Sequence, residues 1–453
     1  MARAVKFRVR DGVAVVTLDQ QPANVMDSAM RAGLAAIFDR LPERGDITAV
    51  VIVANGAMFS AGLDMSGWAR GRSNTPSLAA ICRQIEGCAV PVVVGIHGGA
   101  LAGGAELALA AHYRVGDETA LIGLPYISLG LIPNAGGTQR LPRLIGATGA
   151  LNMLMSGQPV SAGLAHRNGL LDAVVEAPVS DGAFTFAKAL LDAGKGPRPT
   201  AQRREHISDG RAYLATCKDA RIALEAIPRY AAHRIVDCVE GAVLLPFVTG
   251  LAQEADAFES CHIHPQSVAL RHVFLAEQHA GPELLKRKGQ GFKLVDPAGK
   301  AILRRLRPVW NSAAQALLRD DLGEDDIDRI MVDYGFRKGP FGSREGGGPI
   351  TDKVWVRQAL IAALMAEGAR MIEDGTARCA ADVDVIAVHG MSFPRRRGRP
   401  MRAAQSIGLL GLCRKTAQLA QDDATWQMPA LVHEAIKYAD GFDALADQAA
   451  SPE

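Results

Sequence analysis

A glycine-rich turn with a glutamate close behind it is the part of this chain best suited to chemistry. Residues 96–109 read IHGGALAGGAELAL, and the β-branched run Val92 to Val94 precedes them. Glycines at a strand-to-helix turn let another group approach the backbone closely. The first N–H groups of a helix have no partner inside the helix and attract negative charge. Glu106 follows one turn later, so the segment offers backbone N–H donors and an adjacent acid/base group, which stabilisation of an enolate requires.

Two further segments have a related character. Residues 58–65 (MFSAGLDM) follow the β run Ala49 to Val53 and offer a second backbone N–H donor. Residues 129–142 (LGLIPNAGGTQRLP) form a third glycine-containing turn. Taken alone, the segment around Glu106 fits an ordinary strand-to-helix turn with a surface glutamate equally well. The order and spacing of all three segments favour a functional site.

Together the three segments resemble the crotonase (enoyl-CoA hydratase/isomerase) superfamily, over roughly residues 5 to 175. The resemblance implies an oxyanion hole that consists of the backbone N–H groups of Leu63 and Gly103 and binds the thioester oxygen of an acyl-CoA. It also implies that Glu106 is the catalytic acid/base group that activates water. The substrate pocket that it implies is formed by Ala61, Asp64 and Asn134.

Two positions depart from the pattern of that family. A second catalytic glutamate normally follows a Gly-x-Pro element, but this chain has Gly123-Leu124-Pro125-Tyr126, which places a tyrosine there. Asn134 replaces the glycine that usually follows Ile-Pro. Either Glu106 alone therefore serves both proton transfers, or Tyr126 acts as a second catalytic residue, since a phenol with a pKa of about 10 is a weak but usable acid.

The elements that must position these residues alternate between strand and helix. Apolar runs predict strands over Val13–Leu18, Ala49–Val53 and Val92–Ile96, and helical spacing predicts helices over Ser28–Leu41, Leu78–Ile85 and Glu106–Tyr113. This alternation favours an α/β layer fold, which the resemblance specifies as the ββα spiral of the crotonases. Lys195-Gly196-Pro197-Arg198-Pro199 is the first strong break, and it predicts the end of a crotonase-like acyl-CoA domain over residues 1–195.

A helical extension with a linker helix is predicted over residues 196–287. Val248, Leu251, Ala252, Ala255 and Phe258 recur at steps of three and four residues, which predicts an amphipathic helix with these residues on its apolar face. The following segment, residues 265–277, resembles the linker helix of fatty-acid-oxidation multifunctional enzymes.

Residues 288–453 contain a weak internal repeat that predicts a duplicated helical unit. Ile327-Asp328-Arg329-Ile330 precedes Gly339-Pro340, and Val383-Asp384-Val385-Ile386 precedes Arg399-Pro400. The pattern is similar to the C-terminal domain of 3-hydroxyacyl-CoA dehydrogenases. The whole chain thus resembles a multifunctional enzyme that lacks its NAD-binding domain, because the few residues between Gln278 and Lys288 leave no room for a strand followed by G-x-G-x-x-G. We expect neither NAD binding nor hydride transfer.

Composition narrows the classes of partner. The formal net charge of +2 on 453 residues gives no electrostatic reason to expect binding to nucleic acid or a membrane. Seven scattered cysteines without C-x-x-C spacing favour free thiols over a disulfide framework or a metal site. The first residues lack the apolar core of a signal peptide. We therefore expect a cytoplasmic protein that takes an acyl-CoA substrate without a further cofactor, as a homo-oligomer or with a thiolase-like partner.

Three functions are compatible with these features. The first is an enoyl-CoA hydratase with Glu106 as acid/base. The second is another crotonase reaction with Tyr126 orienting the substrate: retro-aldol C–C cleavage, CoA thioester hydrolysis, decarboxylation or isomerisation. The third is a non-catalytic acyl-CoA-binding partner subunit. Arg203 with Arg204, and the cluster Arg395–Arg402, are candidates for binding CoA phosphates, with a solvated loop as the simpler interpretation of each.

Overall fold

The structure is a computed structural model in which the chain divides into two compact units, Met1–His264 and Pro265–Glu453. Each unit is described by itself. The described residues are 4–62, 75–176, 178–225, 229–288, 291–319, 322–342, 353–438, 441–442 and 444–445.

The first unit has α/β architecture. Its strands are β1 (Val5–Arg10), β2 (Val13–Leu18), β3 (Ala49–Ala54), β4 (Val92–Ile96), β5 (Gly99–Leu101), β6 (Tyr113–Gly116), β7 (Leu121–Gly123), β8 (Val160–Ser161) and β9 (Ala173–Val174). Its α-helices are α1 (Ser28–Phe38), α2 (Leu78–Glu86), α3 (Gly103–Ala110), α4 (Gly137–Ser156), α5 (Ala162–Arg167), α6 (Val179–Asp192), α7 (Gly210–Leu224), α8 (Tyr230–Leu244) and α9 (Phe247–Ile263). Its 3₁₀ helices are Leu41–Glu43, Pro125–Leu129 and Thr200–Gln202.

A six-stranded sheet in the order β1-β2-β3-β4-β6-β9 forms the centre of the first unit. β1 pairs with β2 in antiparallel fashion, and the other pairs are parallel. The strands β3 and β4 are almost continuous runs of buried valine and isoleucine, as expected of parallel strands covered on both faces. A smaller sheet, β5-β7-β8, follows β4 in the chain. The chain from β4 through β5 into α3 carries the glycine-rich turn.

The predicted strands Val13–Leu18 and Val92–Ile96 are confirmed with these bounds. The predicted helix Glu106–Tyr113 lies at a different place, since α3 begins at Gly103 and ends at Ala110. The chain turns at His112, whose Nδ1 accepts from the Val92 N–H (3.0 Å) while its Nε2 donates to Glu86 O (3.0 Å). This buried histidine ties the end of α3 to the start of β4, so Tyr113 already belongs to strand β6.

The predicted division at residue 195 does not coincide with the boundary between the two units at residues 264 and 265. Helices α8 and α9 pack against α4 within the first unit. Gln139 Nε2 on α4 donates to Cys238 O on α8 (2.8 Å), and Arg143 Nη2 donates to Ala242 O (2.9 Å). The predicted extension 196–287 is therefore shared between the two units.

The second unit is mostly helical. Its α-helices are α10 (Pro265–His279), α11 (Ala298–Ala316), α12 (Glu324–Tyr334), α13 (Lys353–Glu373), α14 (Ala380–Met391), α15 (Pro400–Ile407), α16 (Leu409–Thr416), α17 (Leu419–Asp422) and α18 (Ala430–Ala435). Its strands are the antiparallel pair β10 (Leu285–Lys288) and β11 (Gly291–Leu294), and its 3₁₀ helices are Arg395–Arg397 and Ala424–Trp426.

The internal repeat has a counterpart in the hydrogen bonds of the second unit. Asp328 on α12 accepts from the Phe341 N–H, which follows Gly339-Pro340, over 2.8 Å. Asp384 on α14 accepts from the Met401 N–H, which follows Arg399-Pro400, over the same distance. Both aspartates are buried. Each half of the repeat therefore ties a helix to the backbone just after a proline.

None of the helices among the described residues combines the length and the apolar character that a bilayer crossing needs.

Candidate active site

The glycine-rich turn brings two loops together at the start of α3. Gly103 is the first residue of α3, so its N–H has no partner within the helix. Gly62 lies against it with a positive φ of 82°, and a Cβ on Gly62 would lie 2.1 Å from Leu101 O and 2.5 Å from Gly103 N. Only glycine fits there, and it lets the loop after β3 run directly past the Gly103 amide.

The loop of Gly62 is held by buried hydrogen bonds. The Ser60 Oγ donates to Asn24 O (2.6 Å) and accepts from the Gly62 N–H (3.0 Å). Ala61, one of the predicted pocket residues, is half-buried, and its N–H donates to Ala23 O (2.9 Å). Leu63 and Asp64 lie outside the described residues, so the second N–H donor and that part of the pocket stay predictions.

Glu106 and Tyr126 are brought into direct contact. Glu106 lies in the first turn of α3 and is only 1% exposed, which excludes the surface glutamate of the simpler interpretation. Its Oε2 accepts from the Tyr126 hydroxyl over 2.5 Å. Tyr126 is itself buried on the 3₁₀ helix Pro125–Leu129. The residue that replaces the expected second glutamate therefore donates a hydrogen bond to the first.

The other carboxylate oxygen of Glu106 binds the third glycine-containing turn. Glu106 Oε1 accepts from the N–H groups of Ala135 (2.6 Å) and Gly137 (3.1 Å). Asn134, the remaining predicted pocket residue, directly precedes Ala135 and is half-buried. The structure thus places Asn134 beside the loop that fixes Glu106.

Sequence reasoning missed a second buried carboxylate at this loop, Glu254 on α9. Glu254 Oε1 accepts from the Gly136 N–H (2.6 Å). Its Oε2 accepts from both the N–H (2.7 Å) and the Oγ1 hydroxyl (2.5 Å) of Thr138. Four consecutive amides at the N-terminus of α4 therefore alternate between the two glutamates, with the first and third bound to Glu106 and the second and fourth bound to Glu254.

The spacing along α9 contained a signal for Glu254. Its buried residues are Gly250, Glu254, Ala257, Phe258 and Cys261, which recur at helical spacing. The predicted apolar face was wrong in part, because Val248 is 76% exposed. That face was assigned from apolar side chains alone, and this criterion passes over a carboxylate whose oxygens are satisfied by buried N–H donors.

Arg140 fixes the backbone that presents these amides. Its Nη1 donates to Ala135 O (2.6 Å), and its Nη2 and Nε donate to Glu86 Oε2 (2.8 Å) and Oε1 (3.2 Å). Gly136 has a φ of +98°, and a Cβ there would lie 1.9 Å from Arg140 Nη1. Arg140 and Glu86 are both buried, so the pair is a rigid, nearly neutral support for the loop.

Burial controls the proton affinities in this cluster. Burial raises the pKa of Glu106 above its ordinary value, against the opposing effect of its three hydrogen-bond donors. Burial, reinforced by the negative charge of Glu106, raises the pKa of Glu254 to about 8. Burial and the same charge raise the pKa of Tyr126 well above its ordinary value. Carboxyl groups with raised pKa values accept and return protons effectively near neutral pH.

The arginines proposed for CoA phosphates have different surroundings. Arg203 and Arg204 line an open cavity of about 520 Å³ together with Arg198, and Arg203 forms an ion pair of 3.4 Å with Glu205. In the cluster 395–402 of the second unit, Arg395 binds both oxygens of Glu277 (2.6 and 2.9 Å), and Arg399 is buried beside Asp384. Arg395 and Arg399 therefore form ion pairs within the second unit, so the interpretation as a solvated loop does not hold for these two arginines.

Residues 8–209 match the enoyl-CoA hydratase/isomerase family. The chain is 33% identical over 282 residues to a peroxisomal fatty acid beta-oxidation multifunctional protein of Arabidopsis thaliana, a match that covers 59% of this chain and 39% of that protein. It is 34% identical over 272 residues to a peroxisomal bifunctional enzyme of Danio rerio, covering 60% of this chain and 38% of that protein. The chain thus spans about two fifths of the length of these relatives.

Among solved structures, DspI of Pseudomonas aeruginosa is 27% identical, with a TM-score of 0.40, and the match covers 50% of this chain and 96% of that one. An enoyl-CoA hydratase of Bacillus anthracis is 25% identical, with a TM-score of 0.40 and coverage of 60% and 96%.

Proposed function

We propose, from the match of residues 8–209 to the enoyl-CoA hydratase/isomerase (crotonase) family, that the chain is an acyl-CoA-processing enzyme that acts through a thioester enolate. Glu106 is its acid/base group, Tyr126 assists it, and hydration of a 2-enoyl-CoA is its first candidate reaction. The observation that carries this proposal is the buried hydrogen bond of 2.5 Å between Tyr126 and Glu106, at the start of the helix that begins with Gly103.

The N-terminus of α3 supports the enolate part of the proposal. The Gly103 N–H lies at the positive end of the helix dipole and has no partner within the helix. A donor in that position stabilises the negative charge that develops on a thioester oxygen. Leu63 is the second predicted donor. Ala61, Asp64 and Asn134 are the proposed lining of the pocket for the acyl group.

The Tyr126–Glu106 pair supports hydration by a proton relay. Water that attacks Cβ of the enoyl group loses a proton to the Tyr126 oxygen, while the Tyr126 proton passes to Glu106. The electron pair of the Cα–Cβ double bond moves to the thioester oxygen and forms the enolate. The proton held by the pair then returns to Cα, so the product has gained H and OH and both residues are restored.

Isomerisation is a second candidate, favoured by the presence of Tyr126 where the family pattern has a second glutamate. One carboxylate suffices to remove a proton from Cα of a 3-enoyl-CoA and return it to the γ carbon. Hydration with a single carboxylate requires the relay through the phenol, and a missing acid/base partner costs roughly 10²- to 10⁴-fold in rate.

One assay separates the two reactions because they change the conjugated enoyl absorbance in opposite directions. Purified protein is incubated with a medium-chain trans-2-enoyl-CoA and, separately, with the matching 3-enoyl-CoA. Hydration removes the absorbance of the first substrate, whereas isomerisation creates it from the second. The same assays with Glu106→Gln test whether Glu106 is the acid/base group.

The remaining functions are outcomes of this experiment. Binding without turnover of either substrate would overturn both reactions and favour C–C cleavage, decarboxylation or thioester hydrolysis of another CoA ester. Absence of both binding and turnover would favour a non-catalytic partner subunit, and assembly with a thiolase-like protein or as a homo-oligomer would then be the property to measure.

A further inference from the structure

We propose that Glu254 is a positioning residue for Glu106: it binds the two amides that alternate with those bound to Glu106, and it keeps a proton beside the ionised Glu106 near neutral pH. This inference rests on the proposed acid/base role of Glu106. It assigns a function in the site to α9, a helix that lies beyond the residues matched to the family.

The first part of the argument is geometric. Residues 135–138 present four consecutive N–H groups, and the two glutamates bind them alternately, over 2.6 to 3.1 Å. Neither carboxylate can shift without disturbing the backbone that binds the other. The Thr138 hydroxyl gives Glu254 a third donor, so Glu254 is fixed as firmly as Glu106, which also has three donors.

The second part concerns charge. The ionisable groups that face Glu254 are Glu106 on α3, Tyr126, Arg140 on α4, and the thiols Cys82 on α2 and Cys238 on α8. Burial raises the pKa of both thiols, so they are uncharged at neutral pH. Arg140 is the cation that acts on both glutamates, but Glu86 already neutralises it through two hydrogen bonds.

Two buried carboxyl groups therefore share the positive end of one helix dipole, equivalent to roughly half a charge. Two carboxylates that share a site do not both ionise readily, and their protons leave in two steps that belong to the pair. The negative charge of Glu106 raises the pKa of Glu254, so Glu106 ionises first and Glu254 keeps the proton of the pair near neutral pH.

The titration of Glu106 tests this directly and needs no substrate. The full chain is prepared with glutamate labelled with ¹³C at the side-chain carboxyl carbon, and the Glu106 resonance is the one that is missing in Glu106→Gln. In the wild-type chain, we expect that resonance to titrate in two resolved steps. In Glu254→Gln, we expect a single step, because the upper step that follows the ionisation of Glu254 is absent.

Glu259→Gln is the matched control, because Glu259 lies on the same helix and is exposed. It should leave the wild-type curve unchanged. A Glu106 curve in Glu254→Gln that superimposes on the wild-type curve would overturn the proposal. If that variant does not fold, the wild-type chain alone decides, since a single-step curve for Glu106 also overturns it.

The rate measured against pH connects the pair to catalysis. In the wild-type chain, kcat should change through the upper titration step of the pair, and in Glu254→Gln that change should be absent, with KM within about twofold of the wild-type value. A residue with only a structural role would lower the folded fraction without altering the dependence of kcat on pH. A two-step titration in a chain that turns over no enoyl-CoA would remove the proposed function and retain the paired carboxyl groups. Turnover of an enoyl-CoA with the same dependence of kcat on pH in both chains would retain the proposed function and remove the role of Glu254.

Discussion

The Tyr126 hydroxyl donates a hydrogen bond of 2.5 Å to Glu106 Oε2, and both side chains are buried. Glu106 thus has a phenol as its immediate neighbour at the position where the family pattern has a carboxylate. The phenol gives Glu106 a donor and stabilises its ionised form, whereas a carboxylate would repel it. This difference determines what the first two substitutions below should do.

Glu106→Gln should lower kcat by roughly 10²- to 10⁴-fold, because the amide cannot accept the proton that the reaction releases. The amide oxygen can still accept from the Ala135 N–H, so KM for the enoyl-CoA should change little. Initial rates from the enoyl absorbance measure both constants. Glu118→Gln, which changes an exposed glutamate of the same unit, is the control. A Glu106→Gln variant with wild-type kcat would exclude Glu106 as the acid/base group.

Tyr126→Phe should move the acidic limb of kcat to higher pH. The hydroxyl of Tyr126 lowers the pKa of Glu106 by hydrogen bonding to its ionised form. Without the hydroxyl, burial therefore raises this pKa further. We also expect kcat itself to fall, since the relay loses its middle member. The pH dependence of kcat provides both results. A limb that stays in place, or moves to lower pH, would contradict this account of the Tyr126–Glu106 bond.

Gly136→Ala should destabilise the first unit by at least about 2 kcal/mol, because it combines a left-handed backbone with a clash against the Arg140 guanidinium. For a unit of this size the melting temperature should fall by roughly 4–8 °C. Gly194→Ala is the matched control, since Gly194 also has a positive φ but nothing within 4 Å of the added Cβ. It should cost about 1 kcal/mol. Calorimetry compares the two, and equal losses would show that the Arg140 contact is unimportant.

The stability of the wild-type chain relative to Glu254→Gln should fall as pH rises from about 4.5 to about 8. Burial and the charge of Glu106 raise the pKa of Glu254 from 4.5 to about 8, so in this range the folded chain binds more protons than the unfolded chain. The free energy of unfolding then decreases by at most about 1.4 kcal/mol per pH unit. Melting temperatures of both chains across this range measure the effect.

Taking the difference between the two chains removes an opposing contribution. Burial lowers the pKa of His112 and His264. Each histidine therefore adds stability as pH rises towards its ordinary pKa of about 6.5. Both chains contain these histidines, so their effect cancels. A gap between the two melting temperatures that is constant over pH would show that Glu254 binds no extra proton in the folded chain.

The crotonase resemblance is confirmed by the family match over residues 8–209, and the sequence was sufficient to place Glu106 and Gly103 at one helix start. Three separated motifs carried that information, because glycine positions and an acidic residue one turn later are local features. From the sequence, it was predictable only that Tyr126 and Glu106 lie in the same site. Its direct hydrogen bond depends on how the 3₁₀ helix Pro125–Leu129 packs against α3.

Glu254 shows where the sequence was insufficient. It is separated from Gly136 by more than a hundred residues, and two of its three donors are backbone amides, which leave no trace in side-chain identity. The predicted boundary at residue 195 differs from the observed division at residues 264 and 265 for the same reason. A Gly/Pro-rich break indicates a change of direction, but only packing shows that α8 and α9 return to α4.

The family match ends at residue 209, but the hydrogen bonds of the Gly136 and Thr138 amides end on a residue of α9. A protein shortened to the matched residues would lose both hydrogen bonds and the packing of α8 and α9 against α4. The smallest autonomous version of the first unit is therefore set by hydrogen bonding rather than by sequence similarity, and it includes α9. Anyone who transplants this unit into another protein should carry helices α7 to α9 with it.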